Sequence, residues 1–277
     1  GSHNAWTGTE HSSFFFDIDT AFFAEGLDRF ADMFSQPLFS QEYVEKERHA
    51  IEAEFSLKLK DDGRRIYQVH KETINPAHPF AKFSVGNLST LADTAEGSLQ
   101  QALLDFFTAQ YSASRMTLAL VSSLPLAEQK QLVLQYFSAL PSHLPAKTAL
   151  TVPLYLPEHQ AIQLNIQPHR DTQKLVVSFA MPDIQHWYKH KIISFIAHLL
   201  GDEGQGSLLS HLKQLGLVNQ LNAGGGIDGS NYKDFTIAFE LTDAGLNSRD
   251  TILQALFSAL TELKRQPLPA DLFAERQ

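Results

Sequence analysis

The sequence predicts an α+β fold made of two related modules, each an antiparallel sheet with helices packed on one face, and both incomplete. Three observations carry this expectation. The chain has 277 residues with 43% hydrophobic and 19% charged content, enough to bury a sizeable core and more than one average domain uses. The stretch "LPSHLPAKTALTVP", holding three of the chain's 12 prolines, reads as a linker. Strand-like and helix-like stretches of similar length lie on both sides of it, which suggests a repeated module. The boundary is therefore placed near residue 145, giving modules at 1–144 and 145–277.

Taken in order, "SSFFFDID" alternates, with Phe14, Phe16 and Ile18 on one side and Phe15 and Asp17 on the other, the period of a half-buried strand. Asp19 is placed to cap a helix in which Phe23, Leu27, Phe30 and Phe34 recur at helical spacing. Ser40 can cap the next helix, whose apolar stripe is Val44, Ile51 and Phe55. A second helical stretch follows Gly63. Then come a long loop, "NPAHPFAKFSVGN", a helix around "LQQALLDFFTAQY" and a strand, "MTLALVSS". Beyond the linker, "AIQLNIQ", "KLVVSFAM", "LVNQLNAGGG" and "DFTIAFELT" read as strands. "HWYKHKIISFIAHLL", "GSLLSHLKQLG" and "RDTILQALFSALTELKR" read as helices. The end "LPADLFAERQ" stops as a further helix starts, with Pro269 near its first turn; this reads as an excised fragment.

Composition removes several functional classes. A net charge of −9 argues against binding duplex nucleic acid, which needs a basic face to displace counterions. No apolar run reaches the length needed to cross a bilayer. Without cysteine there are no disulfides and no thiolate ligands, so any metal must be held by His, Asp or Glu. Cysteine usage does not separate cytosol from periplasm, and the sequence leaves the location open, with the bacterial periplasm favoured over the cytoplasm.

Candidate chemistry begins at Glu47 and Glu54 in "KERHAIEAEFSLKLK". Seven residues make almost two helical turns, so both carboxylates leave from nearly the same face, with Cα atoms about 10 Å apart. A zinc-ligating oxygen sits about 2 Å from its metal, so one of the two can bind a single ion while the other supports it from behind. The plainer reading is a solvated acidic stripe. His186 and His190 are four apart in a predicted helix, a spacing that can hold a metal, but no third ligand accompanies them at a telling distance. "GDEGQGSLL" and "NAGGGIDG" complete neither G-x-G-x-x-G nor a Walker pattern, and no nucleotide binding is expected. Gly224, Gly225 and Gly226 mark a bulge or a close backbone approach, which a groove that adds a peptide strand also requires. No G-x-S-x-G element supports a serine nucleophile.

Together "NAWTGTEHSSFFFDI", "KERHAIEAEF", "ETINPAHPFAKFSVGNLSTL" and "GDEGQGSLLSHLKQLGLVNQL" resemble the pitrilysin/insulinase family of zinc metallopeptidases over almost the full chain. The resemblance implies repeated α+β modules arranged as a clamshell, here the C-terminal part of the first, catalytic-type module and the N-terminal part of the second. It implies a zinc ion held by an H-x-x-E-H motif, whose Glu activates the attacking water, with a third ligand from a later helix. Glu54 matches that third ligand, and Glu47 matches a glutamate near the site. H-x-x-E-H itself does not occur in this sequence; "HAIEA" at 49–53 lacks the closing histidine.

The motif belongs upstream of "GSHNAWTG", where family members have a similar Gly-Ser-His-Asn, so residues 1–3 are either native or an expression scar. The chain by itself is therefore expected to bind little or no zinc and to have no peptidase activity. Its parent would degrade peptides in an enclosed chamber completed by a C-terminal half. Asn4, Ala5, Trp6 and Thr7 match a strand whose backbone pairs with extended substrate. Tyr67 matches an aromatic position facing the cleft, and Gly224, Gly225 and Gly226 match an exosite for the substrate's N-terminus. Peptide substrates and the remainder of the parent chain are the implied partners. The rival reading is a non-catalytic family member serving as peptide-binding or scaffold subunit.

Overall fold

A computed structural model of the chain describes residues 1–267 and 274; the helix start expected around Pro269 lies outside the described residues. Two compact units result, Gly1–Arg64 with Lys82–Ala149, and Arg65–Ala81 with Leu150–Gln277. Residues 65–81 thus leave the first half of the sequence to fold with the second, and the remaining cut falls at 149/150.

In the first unit, strands β1 (Ser2–Thr7) and β2 (Ser12–Asp17) form an antiparallel hairpin with Ala5 opposite Phe14. The alternation expected in β2 is present: Phe14 and Phe16 are half-buried and Phe15 is exposed. Phe14 meets Phe34 edge-on at 5.2 Å and Phe16 meets Phe30 at 5.0 Å, so β2 packs on α1 (Phe23–Ser35) through aromatic pairs. Asp19 does cap, but the element it caps is a 3₁₀ turn, Thr20–Phe22, where its Oδ1 accepts from Ala21 N–H at 2.9 Å. Leu27 and Ala31, four apart on α1, are the buried apolar side chains of this unit among the described residues. Helices α2 (Gln41–Lys58), α4 (Leu99–Gln110) and α5 (Leu126–Phe137) complete it, α5 meeting α1 through Phe137 and Phe30. The sequence reading did not include α5.

Helix α3 (Asp62–Glu72) runs into the second unit. There β3 (Lys174–Met181), β4 (Val218–Asp228) and β5 (Lys233–Leu241) form an antiparallel sheet in the order β3-β5-β4. Phe235, Ile237, Phe239 and Leu241 alternate along the central strand β5 and are buried. They pack with Leu200 of α6 (Ile192–Leu200), Leu209 and Leu212 of α7 (Leu208–Gln214), and Ile252 and Leu256 of α9 (Arg249–Arg265). The helices share one apolar core with the sheet, as expected of this fold class. A short helix, α8 (Asp243–Asn247), is capped by the Thr242 side chain.

Two expected strands and one expected helix do not form as read. Neither "MTLALVSS" nor "AIQLNIQ" is a strand: a strand needs a ladder partner, and among the described residues neither finds one. "HWYKHKIISFIAHLL" is not one helix, because Lys191 sits at φ 48°, ψ 38°, and separates a 3₁₀ segment, Gln185–His190, from α6. The segment "NPAHPFAKFSVGN" is a loop as expected, and part of it is core: Asn75, His78 and Phe80 are buried, with Phe80 joining Ile74, Leu154 and Tyr232 in a second apolar cluster.

Candidate functional site

Helix α2 places its stripe of Val44, Ile51 and Phe55 half-buried, Phe55 lying edge-on to Phe83. Its five glutamates then divide into two groups. Glu42 pairs with Lys46 at 2.7 Å, Glu45 with Arg48 at 2.7 Å, and Glu52 accepts from Leu88 N–H at 2.8 Å. Glu47 and Glu54 are exposed and have no hydrogen-bond or ion-pair partner among the described residues. The helix therefore presents two uncommitted carboxylates, two turns apart, on a surface where the other acids are engaged.

Strand β1, carrying Asn4, Ala5, Trp6 and Thr7, is exposed along its whole length and pairs only with β2 among the described residues. Its second edge is open to another extended chain, the condition for strand addition. Trp6 is held edge-on by His11 at 4.8 Å, and Asn4 Oδ1 accepts from Ala5 N–H.

In the second unit, Tyr67 on α3 is half-buried, edge-on to Phe80 at 5.7 Å, with Lys71 Nζ 5.3 Å from its ring. Gly224, Gly225 and Gly226 lie on β4, at an edge of the sheet. Gly224 faces Thr236 and Gly225 faces Phe235; a register shift follows before Asp228 meets Lys233. The irregularity falls where the glycine run suggested a bulge. A Cβ on Gly224 would meet nothing within 4 Å, whereas one on Gly226 would lie 2.6 Å from Thr236 Oγ1 and 3.0 Å from Asp234 Cβ.

His186 and His190 lie on the 3₁₀ segment, not on an α-helix, so a four-residue spacing no longer puts them on one face. His186 leans on Trp187 at 4.4 Å instead. No group of three or more His, Asp or Glu among the described residues is placed to hold a metal.

Two features were not legible beforehand. An open groove of about 520 Å³ runs beside Trp187, Tyr188, Lys191 and Tyr232, with both signs of charge on its walls. The other is a polar cluster around the buried Asp234. Tyr155 Oη donates to Asp234 Oδ2 at 2.6 Å, and His70 Nε2 lies 3.1 Å from the same hydroxyl and 4.0 Å from the carboxylate. Burial pushes the Asp234 carboxyl above its ordinary range, opposed by the Tyr155 hydrogen bond and by His70. Burial holds His70 below its usual value, opposed by Asp234. Burial and the Asp234 carboxylate both push the Tyr155 hydroxyl far up. Asp234 is out of phase with the apolar alternation of β5, the one sequence signal that could have drawn notice.

A family model described as "Peptidase M16 inactive domain" matches residues 98–277, and one described as "Insulinase (Peptidase family M16)" matches residues 1–77. The chain belongs to the M16 peptidase family. Protease 3 of Escherichia coli (strain K12) is 34% identical over 276 residues, covering 99% of this chain and 29% of that protein. Insulin-degrading enzyme of Homo sapiens is 34% identical over 269 residues, 96% of this chain and 26% of that protein. The crystal structure of pitrilysin superposes with a TM-score of 0.92 at 34% identity, again 99% of this chain and 29% of the other. The α+β assignment and the M16 resemblance therefore stand, and the chain spans under a third of the length of these relatives. No helix among the described residues is long and apolar enough to cross a membrane.

Proposed function

We propose that this chain is part of a zinc-dependent M16 endopeptidase, to which it contributes one metal ligand and much of the surface that holds an extended peptide. The observation that carries the reading is the pair of uncommitted carboxylates on α2, Glu54 and Glu47, among glutamates that are otherwise engaged. Glu54 is proposed as a metal ligand and Glu47 as the carboxylate that supports it. The described residues do not by themselves make a metal site, so the remaining ligands and the general base belong to the rest of the parent, and this chain alone is inactive. When complete, such a site supplies water activated for attack on a peptide bond.

The residues of this chain act on the peptide. The open edge of β1, at Asn4, Ala5, Trp6 and Thr7, offers backbone donors and acceptors to an extended substrate, which makes binding tolerant of sequence. Tyr67 offers an aromatic face, and the edge at Gly224, Gly225 and Gly226 lets a peptide N-terminus approach the backbone closely. Peptides and the remainder of the parent chain are the proposed partners.

A non-catalytic, scaffold role is the second reading. It is favoured by the match of residues 98–277 to the inactive domain of the family. Zinc per chain, measured by elemental analysis on this chain and on its natural longer parent, separates the two. About one zinc in the parent and none here supports the peptidase; none in either refutes it and leaves the scaffold.

A further inference from the structure

Asp234 is 2% exposed, and its Oδ1 has no hydrogen-bond partner among the described residues. A buried carboxylate half unsatisfied is costly, so its retention on a strand whose alternate residues form the core calls for a reason. Its one strong contact gives the direction. Tyr155 Oη has a single proton and donates it to Asp234 Oδ2 at 2.6 Å. The hydroxyl oxygen can then only accept from His70, 3.1 Å away, which fixes the proton on His70 Nε2. The chain of donors runs in one sense, from His70 on α3 through Tyr155 to Asp234 on β5.

What this chain of bonds holds is the helix. The segment after α3 has its own ties: Asn75 N–H donates to Leu154 O at 3.0 Å, Asn75 Nδ2 to Pro153 O at 2.8 Å, and His78 Nε2 meets Asn231 Oδ1 at 3.2 Å. The body of α3 has Arg65 donating to Gln167 O at its start and His70 near its end. Three residues before His70, and so beside it on the same helical face, stands Tyr67.

We propose that His70, Tyr155 and Asp234 form a relay, partly exposed at His70 and buried at Asp234, that latches α3 to the central strand β5 and thereby positions Tyr67. The latch ends in one buried negative charge. The titratable groups around it are few: Lys71, on the same helix, turns its ammonium to the rings of Tyr67 and Phe80, at 5.3 and 4.7 Å. Tyr232, in the β4–β5 turn, interacts electrostatically with Tyr155, and His78 stands edge-on to Tyr232. Only the bearing of the latch on peptide contact rests on the role proposed above for Tyr67.

Amide hydrogen exchange of residues 66–72 in the full chain, corrected for intrinsic rates and referenced to β5, reads the latch without any peptide. Tyr155→Phe, which removes the central hydroxyl, is expected to speed exchange in α3 roughly 10- to 100-fold. Asp234→Asn keeps an acceptor for Tyr155 and removes the charge. Its α3 should exchange no faster than wild type at pH 8. Any slowing should shrink as the pH falls, because protonation of Asp234 in wild type removes the same charge that the variant lacks. Wild-type exchange in Tyr155→Phe, an Asp234→Asn as fast as Tyr155→Phe, or a difference independent of pH would each overturn the proposal. Should Tyr155→Phe unfold, with β5 exchanging as well, the Asp234→Asn profile decides alone. Loss of peptide binding in Tyr67→Ala is a separate measurement, so failure of the substrate reading leaves this one standing or falling by itself.

Discussion

Gly224 and Gly226 are two residues apart on one edge strand, yet alanine should have opposite effects at the two. At Gly224 the new methyl enters open space, and the main consequence is a less flexible unfolded chain, a gain of about 0.4–1 kcal/mol. At Gly226 the methyl lies 2.6 Å from Thr236 Oγ1 and 3.0 Å from Asp234 Cβ. Neither neighbour is the far end of a long side chain, so the two strands must separate, at an overpacking cost of about 1–3 kcal/mol. Thermal unfolding followed by circular dichroism should place Gly226→Ala about 2–8 °C below wild type and Gly224→Ala level with it or above. Thr236→Ala in the Gly226→Ala background removes the nearer obstacle and should narrow the gap between Gly226 and Ala. Equal effects of the two alanines, or no recovery in the double variant, would refute the packing argument. If Gly224→Ala keeps the fold yet weakens binding of an extended peptide, the glycine run serves both packing and recognition.

Other outcomes follow from the same geometry. In the intact parent, Glu54→Gln should lose most bound zinc, while Glu47→Gln should weaken metal affinity or rate about 10- to 100-fold; elemental analysis and peptide cleavage would show it, and indifference to both refutes the assignment. In this chain alone both variants should melt within about 0.5 kcal/mol of wild type, since each side chain is exposed. Leu212→Ala, at a fully buried position, should cost about 2–5 kcal/mol in denaturant unfolding. Lys191→Gly should stabilise by about 1 kcal/mol, because Lys191 occupies the left-handed region. His70 has a folded pKa below its ordinary 6.5, so the unfolded chain takes up its proton first and stability falls as pH drops through that value. Asp234 is raised, so its protonation in the folded state acts in the opposite sense. His70→Gln removes the first effect and should therefore lose less stability than wild type between pH 7.5 and 5.5, read as the shift in urea midpoint.

Much of the second unit was legible because its segments carry strong periodic patterns. "KLVVSFAM" is β3 residue for residue, and "RDTILQALFSALTELKR" is α9. In these, alternation at 2 or 3.6 residues records which face is buried, and the same faces are buried in the structure. The uncommitted glutamates of α2 were half legible: spacing put Glu47 and Glu54 on one side of a helix, but not that Glu42, Glu45 and Glu52 would be engaged while these two were left open.

Sequence alone determined the fold class, the main helices and strands, the family and the residues to test, since each of these is written in local periodicity or in long ordered motifs. Tertiary structure decided the rest. It sent residues 65–81 to the second unit, left "MTLALVSS" and "AIQLNIQ" without ladder partners, and broke a helical pattern at Lys191. It also brought His70 and Asp234, 85 and 79 residues from Tyr155 along the chain, into hydrogen-bonding reach of its hydroxyl. Periodicity tells a residue that it will be buried; which distant group meets it there depends on how whole elements pack, and no local pattern encodes that.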